Sequence, residues 1–510
     1  MKTNGKIQLY PLVRVSIILM IGMMAGYILR SSLSAMHWLI VAGIVTIMTA
    51  VMRKVVIQSL LVFAIVFLVG ASVMSHAWQA RKSISSYGPV HFEAVVVSSP
   101  VVRERVVTCD LLILSSEAKV LVKASFIRDE RSEQLRMGDG LEACSVWKEW
   151  NKSQSAQFDY ALYMRSHGYQ TQTFVSEWRW QEVNLLSLSW FTRARLVVGQ
   201  WRESLIGRLR AHDFFYQDLA VVTAMSLGDK TMINKEIRES YSISGVSHVL
   251  ALSGMHLGII YLVLSMTVAR WRRCRGLLRP VSEGVILLAI WMYVFLVGMS
   301  PSVVRSAVMI TVFSLMSLLH RGKMSLNVLG FTAIVMLLSN PMNLFDVGFQ
   351  MSFIAVASIL LFSHRIFVCL PTVRHRLLRW LWGLLSVSLA AQIGVAPLTA
   401  YYFGQVSCYF LFTNIIIVVL TTLIIYLSLA FFIFLWLTPV ASLLAQLLSV
   451  VAHVQNTVVQ WISTCPGSVI SNIHLHVVQV LLIYVIILCV YAMICRLDLY
   501  KHEKMITFAP

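Results

Sequence analysis

The sequence predicts an α-helical polytopic membrane protein with a small extracytoplasmic β-barrel inserted between its membrane segments. Composition is the first reason. Of 510 residues, 58% are hydrophobic and only 13% charged, with a mean hydropathy of +0.75, which is too apolar for one soluble core. Apolar runs long enough to cross a bilayer are the second; they fall at residues 13–29, 38–51 and 55–74 and then recur from about 241 to 495. The third is one polar stretch, residues 75–214, whose start alternates like strands.

The expected order is three N-terminal transmembrane helices in residues 1–74, a β domain in 75–186, an amphipathic interfacial helix in 187–214, a polytopic block in 215–496 and a tail in 497–510. A basic start, an apolar core and Ser34-Ala35 resemble a secretory signal, but two further apolar runs follow at once, so the first helix is read as retained. Charge then orients the spans. Lys2, Lys6 and Arg14, the Arg53-Lys54 pair, and Arg270, Arg272, Arg273, Arg275 and Arg279 form basic groups that the positive-inside rule places in the cytoplasm. Arg321 with Lys323, the group from Arg365 to Arg379, and Arg496, Lys501 and Lys504 extend the pattern. Both chain ends are then cytoplasmic and residues 75–214 extracytoplasmic. The formal charge of +19 divides accordingly: 18 basic against 15 acidic residues leave +3 on 75–214, and the remainder carries +16. Most of the basic excess therefore reports topology rather than a nucleic-acid surface.

Within the β domain, residues 91–97, 106–114 and 118–126 read as strands and Met137-Gly138-Asp139-Gly140 as a turn. Cys109 and Cys144 form an even pair in an oxidising compartment, so a disulfide is expected, with two buried thiols as the alternative. Trp147, Trp150, Phe158, Tyr160, Tyr163 and Tyr169 alternate with Lys148, Lys152 and Arg165, as a stacking platform with phosphate contacts requires; a barrel core uses the same aromatics. Residues 190–210 carry Trp190, Val197, Val198, Trp201, Leu205 and Leu209 against Arg193, Arg202, Arg208 and Arg210, an amphipathic pattern suited to the interface.

The polytopic block holds roughly seven to nine spans. Residues 409–437 read as one helix or two, and 440–462 as a span or a surface helix. Residues 244–260, SGVSHVLALSGMHLGII, carry the most information. Read as one helix, they align Ser244, His248 and His256 in one polar stripe, and Ser247 and Ser253 join His248 and His256 as candidates to line a pore. Gly254 and Gly258 read as packing positions, whereas His248 and His256 read as facing a water-filled path, since ionisable residues at membrane depth usually do. Arg305 follows a Pro301 kink inside an apolar run; it either faces a phosphate path or pairs structurally with Asp346. Gln350 and Gln392 divide in the same way between a passing backbone and helix-to-helix bonds. Neither a zinc spacing nor a phosphate-binding loop is found, and no metal or cofactor is expected.

Gly228-Asp229-Lys230, Tyr241, Gly245, Ser247-His248 and Leu252-Ser253-Gly254-Met255-His256 are followed in order by Pro301, Arg305, Arg321, Asn327, Asn340-Pro341 and Asp346. Gly348-Phe349-Gln350-Met351-Ser352-Phe353, Ala391-Gln392, Pro397, Phe403-Gly404 and Asn414 complete the series. This order and spacing resemble the ComEC family of competence proteins, most strongly between Gly228 and Pro397, and Phe158-Asp159-Tyr160, Tyr163 and Gly168-Tyr169 resemble its stretch ahead of the membrane domain. The resemblance implies an OB-like β domain and transport of single-stranded DNA across the cytoplasmic membrane during natural transformation, through a channel without covalent chemistry. It implies structural roles for Gly228, Asp229, Lys230, Gly254, Gly258, Pro301, Phe349, Phe353 and Pro397. It further implies a separate DNA receptor, a cytoplasmic translocation motor and a homodimer as an open possibility. The metallo-β-lactamase-like domain of many members has no counterpart motif here, His474-Leu475-His476 being the nearest, so the nuclease is expected on another protein. The rival reading is a multi-pass transporter of a smaller anionic substrate, or an intramembrane enzyme using His248, His256 and Asp229 for proton transfer.

Overall fold

A computed structural model describes residues 10–114, 120–150, 159–184, 188–268, 278–318, 326–369 and 375–507, the last of these by backbone alone from 497. The chain forms two compact units: Met1–Ile237 with His248–Gln350 and Val419–Thr457, and Arg238–Ser247 with Met351–Val418 and Val458–Pro510. Nine of the described helices are long and apolar enough to cross a membrane, and three shorter ones are apolar as well.

The first unit begins with α1 (Pro11–Ile28), α2 (Ala35–Val51) and α3 (Val55–Ala80). Gly22 and Gly26 set α1 directly on the backbone of α3 at Phe67 and Ala71, and a Cβ at Gly70 would meet the Leu19 carbonyl at 2.6 Å. This is small-residue packing, which brings helices together where lipid supplies no hydrophobic drive.

The β domain follows, with β1 (Val90–Val96), β2 (Val101–Val102), β3 (Val106–Ile113), β4 (Val120–Ile127), α4 (Glu130–Gln134), β5 (Gly140–Ser145), β6 (Trp147–Lys148), α5 (Tyr160–Ser166), β7 (Tyr169–Val175) and β8 (Trp180–Glu182). The sheet runs β6-β7-β4-β3-β1-β5-β8, with β2 on β3. β4 and β7 are parallel and the other pairs antiparallel. Only Val146 separates β5, which pairs with β1, from β6, which pairs with β7. Period-2 alternation points Val107, Cys109, Leu111 and Ile113 of β3 and Val120, Val122, Ala124 and Phe126 of β4 inward.

That alternation corrects two expectations. Both cysteines are free thiols: Cys109 is buried opposite Ala124, whereas Cys144 lies between the buried Ala143 and Ser145 and faces the other side of its strand, opposite His91. Thiols on opposite faces of the sheet do not reach each other. Trp147 is a core residue, 9% exposed and 5.8 Å from the Phe92 ring, rather than a stacking surface.

Beyond the sheet, α6 (Trp190–Arg210) leads to α7 (Tyr216–Leu227), buried from Asp218 to Leu227 and ended by Gly228 at φ 72°. α8 (Lys235–Ile243), α9 (Gly254–Thr267), α10 (Leu278–Leu296), α11 (Pro301–Leu318), α12 (Leu326–Ser339) and α13 (Val347–Val368) come next. Residues 244–260 are therefore not one helix. α8 stops at Ile243, Gly245 turns the chain at φ 78°, Ser247–Val249 form a single 3-10 turn, and α9 begins at Gly254. The polar stripe read from helical spacing does not exist, because a left-handed residue ends a right-handed helix. Pro301 is likewise no kink; it opens α11, where its missing N–H costs nothing.

In the second unit, α14 (Arg376–Phe403) contains Pro397 and ends at Gly404 in the left-handed region. Two short strands, β9 (Val406–Ser407) and β10 (Val469–Ile470), pair antiparallel. α17 (Val477–Thr507) joins α14 through the Tyr484 hydroxyl, which donates to the Gly394 carbonyl at 2.7 Å. α15 (Phe410–Ile433) is a single helix, and α16 (Thr438–Thr464) meets the length and hydropathy of a span.

Candidate functional site

Of the motifs quoted from residues 228–350, Gly228-Asp229-Lys230 and those from His248 to Gln350 lie in the first unit, whereas Tyr241, Gly245 and Ser247 belong to the second. Gly228 lets the end of α7 abut Leu252 and the Val297 carbonyl, 3.0 and 3.3 Å from where a Cβ would stand. Asp229, 6% exposed, accepts from the Thr231 N–H at 3.1 Å and its hydroxyl at 2.9 Å, so it shapes a turn. Lys230 beside it is exposed.

At the start of α9, His256 Nδ1 accepts from the Ser253 N–H at 3.1 Å and lies 2.9 Å from its hydroxyl. His256 is fully enclosed and occupies the third helical position, where Glu or Gln completes a capping box. An Nδ1 that accepts a backbone N–H leaves the proton of the neutral ring on Nε2. In that tautomer Nε2 is a donor, and it has no acceptor within the described protein. Gly254 approaches Ser306 on α11, a Cβ there standing 3.0 Å from its hydroxyl, whereas Gly258 has open space at that position and makes no close approach.

One residue before Ser306, the Arg305 guanidinium donates through Nη1 to Asp346 Oδ2 at 3.0 Å. Both side chains are buried. The same Asp346 oxygen accepts from the Phe349 N–H at 2.9 Å, capping α13. A Cβ at Gly348 would stand 2.9 Å from Arg305 Nη2, so a larger residue there would push the guanidinium aside. Gln350 donates to the Leu344 carbonyl at 2.8 Å. Of the candidates for a path, Ser247 and His248 are exposed, Ser253, Gln350 and Gln392 are half-buried, and His256 and Arg305 are enclosed. Phe349 is buried; Phe353, half-buried, and Pro397, buried within α14, belong to the second unit.

Two buried carboxylates were not singled out from sequence. Asp218, 2% exposed, holds Asn456 Nδ2 at 2.6 Å and His453 Nδ1 at 3.1 Å. Glu283 accepts from the Ser314 hydroxyl at 2.7 Å and the Tyr261 hydroxyl at 3.4 Å, joining α9, α10 and α11. Each partner lies on another helix, so no local spacing announces the cluster. Among the described residues no group of three His, Cys, Asp or Glu side chains is arranged to hold a metal.

In the β domain, Arg165 does not face outward. Its guanidinium stacks 3.4 Å from the Trp78 ring centre and donates to the Trp78 carbonyl at 2.5 Å, tying α5 to α3. Burial, with Arg30 nearby, lowers its pKa to about 10, still fully cationic at neutral pH. Trp150 is half-buried with its ring edge on Tyr160, itself 44% exposed, and Lys148 is exposed. Lys152 and Phe158 lie outside the described residues.

Comparison with known proteins bears on the membrane block. Residues 225–497 match the family described as Competence protein. The chain is 37% identical over 187 residues to ComE operon protein 3 of Bacillus subtilis (strain 168), covering 37% of this chain and 23% of that protein. It is 33% identical over 144 residues to an uncharacterized protein of Aquifex aeolicus (strain VF5), 28% of this chain and 33% of the relative. It is 24% identical over 213 residues to the uncharacterized protein YcaI of Escherichia coli (strain K12), 40% of this chain and 28% of the relative. The matches thus span between about a quarter and a third of these relatives' lengths. No solved structure matches.

Proposed function

Because the chain belongs to the Competence protein family, of the ComEC type, we propose that it conducts single-stranded DNA across the cytoplasmic membrane during natural transformation. One observation carries this reading: the backbone between Gly228 and Gly254 is interrupted inside a membrane domain, and Ser247 and His248 are exposed on it. Irregular backbone at membrane depth persists only against protein or water, and exposed polar side chains on it suit a watered path. Ser247 and His248 line that path. His256 and Arg305 act behind it as positioning residues, one fixing the start of α9 and the other locking α11 to the cap of α13.

The β domain, residues 75–186, meets the strand outside the cytoplasm. Its reading as an OB-like barrel is supported by the strand order, the parallel β4–β7 pair, and β5 and β6, which touch neighbours from opposite ends of the sheet across one residue. Lys148 and Tyr160 offer a phosphate contact and a ring on its surface. Transport is read as physical guidance, a reading supported by His256 Nδ1 and Asp229 each being engaged in local bonds. A receptor outside, a nuclease and a cytoplasmic motor are the partners this role requires. In a competent strain deleted for the gene, labelled DNA should reach the cytoplasm only when the wild-type chain is supplied; undiminished uptake in the deletion strain would remove the DNA role.

A further inference from the structure

A recess of about 130 Å³ lies where α6 passes between the end of β1 and the end of α10. We propose that it binds the phosphate of an anionic phospholipid headgroup, held by Arg195 and Arg202. The two arginines stand seven residues apart on one face of α6 and both line the recess.

The guanidinium of Arg202 is enclosed but loosely held. Its bonds are long, 3.5 Å to the Val297 carbonyl and 3.4 Å to the Ser99 hydroxyl, with Glu203 4.0 Å away. Its Nε is buried without a partner. Charge-assisted bonds to an oxyanion close to about 2.7–2.9 Å, so these donors fall short of what they can make. Ser98 adds a hydroxyl; its oxygen accepts from the Asp110 N–H at 2.8 Å, which leaves its proton to donate. Two glycines keep the space open. Gly298, at φ 84°, would place a Cβ 3.0 Å from Arg202 Nη1, and Gly199 would drive one into the Met137 sulfur.

The walls select the source of the phosphate. They include Phe295 and Leu296, the last residues of a candidate span. On α6 itself Trp190, Val197 and Trp201 are 81%, 43% and 66% exposed along a face about a third of a turn from the arginines. Exposed Trp on an amphipathic helix marks the bilayer interface, which puts the arginine face at headgroup depth.

The test is lipid binding to the purified full chain in detergent, read by native mass spectrometry during titration with phosphatidylglycerol. Phosphatidylcholine, inorganic phosphate and a short oligothymidylate serve as the other probes. Wild type should bind phosphatidylglycerol in preference to phosphatidylcholine, and Arg195→Gln and Arg202→Gln should each weaken it about tenfold. Arg195→Gln guards against misfolding, because Arg195 makes no hydrogen bond among the described residues. Equal phosphatidylglycerol binding by wild type and both variants would overturn the proposal, as would wild-type binding without preference over phosphatidylcholine. Arginine-dependent binding of inorganic phosphate as tight as that of the lipid would assign the site to a free anion. Loss of oligothymidylate binding with lipid binding intact would assign it to nucleic acid.

Discussion

The guanidinium of Arg305 and the carboxylate of Asp346, 41 positions apart, are 3.0 Å from each other with both side chains buried. Removing one partner of such a pair leaves a buried charge alone, at a cost of about 3–5 kcal/mol, whereas replacing both with apolar side chains is far milder. Arg305→Met or Asp346→Leu alone should sharply lower the thermal midpoint of the detergent-solubilised protein. The double variant should recover most of the loss in a fluorescence-monitored melt; additive losses would mean that the pair is not coupled.

His256 as a cap makes a specific claim about substitutions. His256→Gln keeps an acceptor for the Ser253 N–H and should retain most DNA uptake, while His256→Ala forfeits a cap worth about 1 kcal/mol and should lose uptake. Equal loss in both would assign the imidazole a role in contact with the substrate.

The glycines of residues 244–260 should separate. Gly245 sits at φ 78° with a Cβ position 2.8 Å from the Ser407 Cβ, so Gly245→Ala pays left-handed strain of about 1–2 kcal/mol besides the clash. Gly258 lies within α9 with nothing near its Cβ position, and Gly258→Ala should stabilise by about 0.5–1 kcal/mol. Expression and melting of the two variants decide this.

Burial pushes the Cys109 thiol up to about 12, with the adjacent Asp110 adding to the effect. The unfolded thiol ionises near 9, so between about pH 9 and 12 the unfolded state releases a proton that the folded state keeps, and stability falls as pH rises through that window. Below it Cys109 contributes no pH dependence. Cys109→Ala should flatten the alkaline decline, and maleimide at pH 8 should label Cys144 while sparing Cys109 in the folded protein. Identical migration with and without reductant is expected for the two free thiols.

Much of this architecture was legible because it is periodic. The alternation from Val106 to Ile113 and from Val120 to Ile127 can be read from β-branched residues, and the long apolar runs state their own length. What could not be read depends on chain reversal. Spacing suggested one helix through His248, because apolar residues hide a break that only the left-handed Gly245 makes. Ser253 with His256 passed unnoticed as a cap because the usual third-position residue is Glu or Gln. Asp218 and His453 lie 235 positions apart, and nothing local to either announces the other. Arg165 reads as a phosphate contact from its neighbours in sequence, because Trp78, whose ring lies beneath it, is 87 positions away.

If DNA passes the interrupted segment, a photoreactive side chain placed there will crosslink to it. A photoreactive residue would be placed at His248, and at Met292 as a control 66% exposed on the apolar helix α10, and irradiated during uptake of labelled DNA. A DNA adduct is expected at position 248 and none at 292. Absence of an adduct at 248 in cells that are taking up DNA, or equal adducts at both positions, would contradict that route.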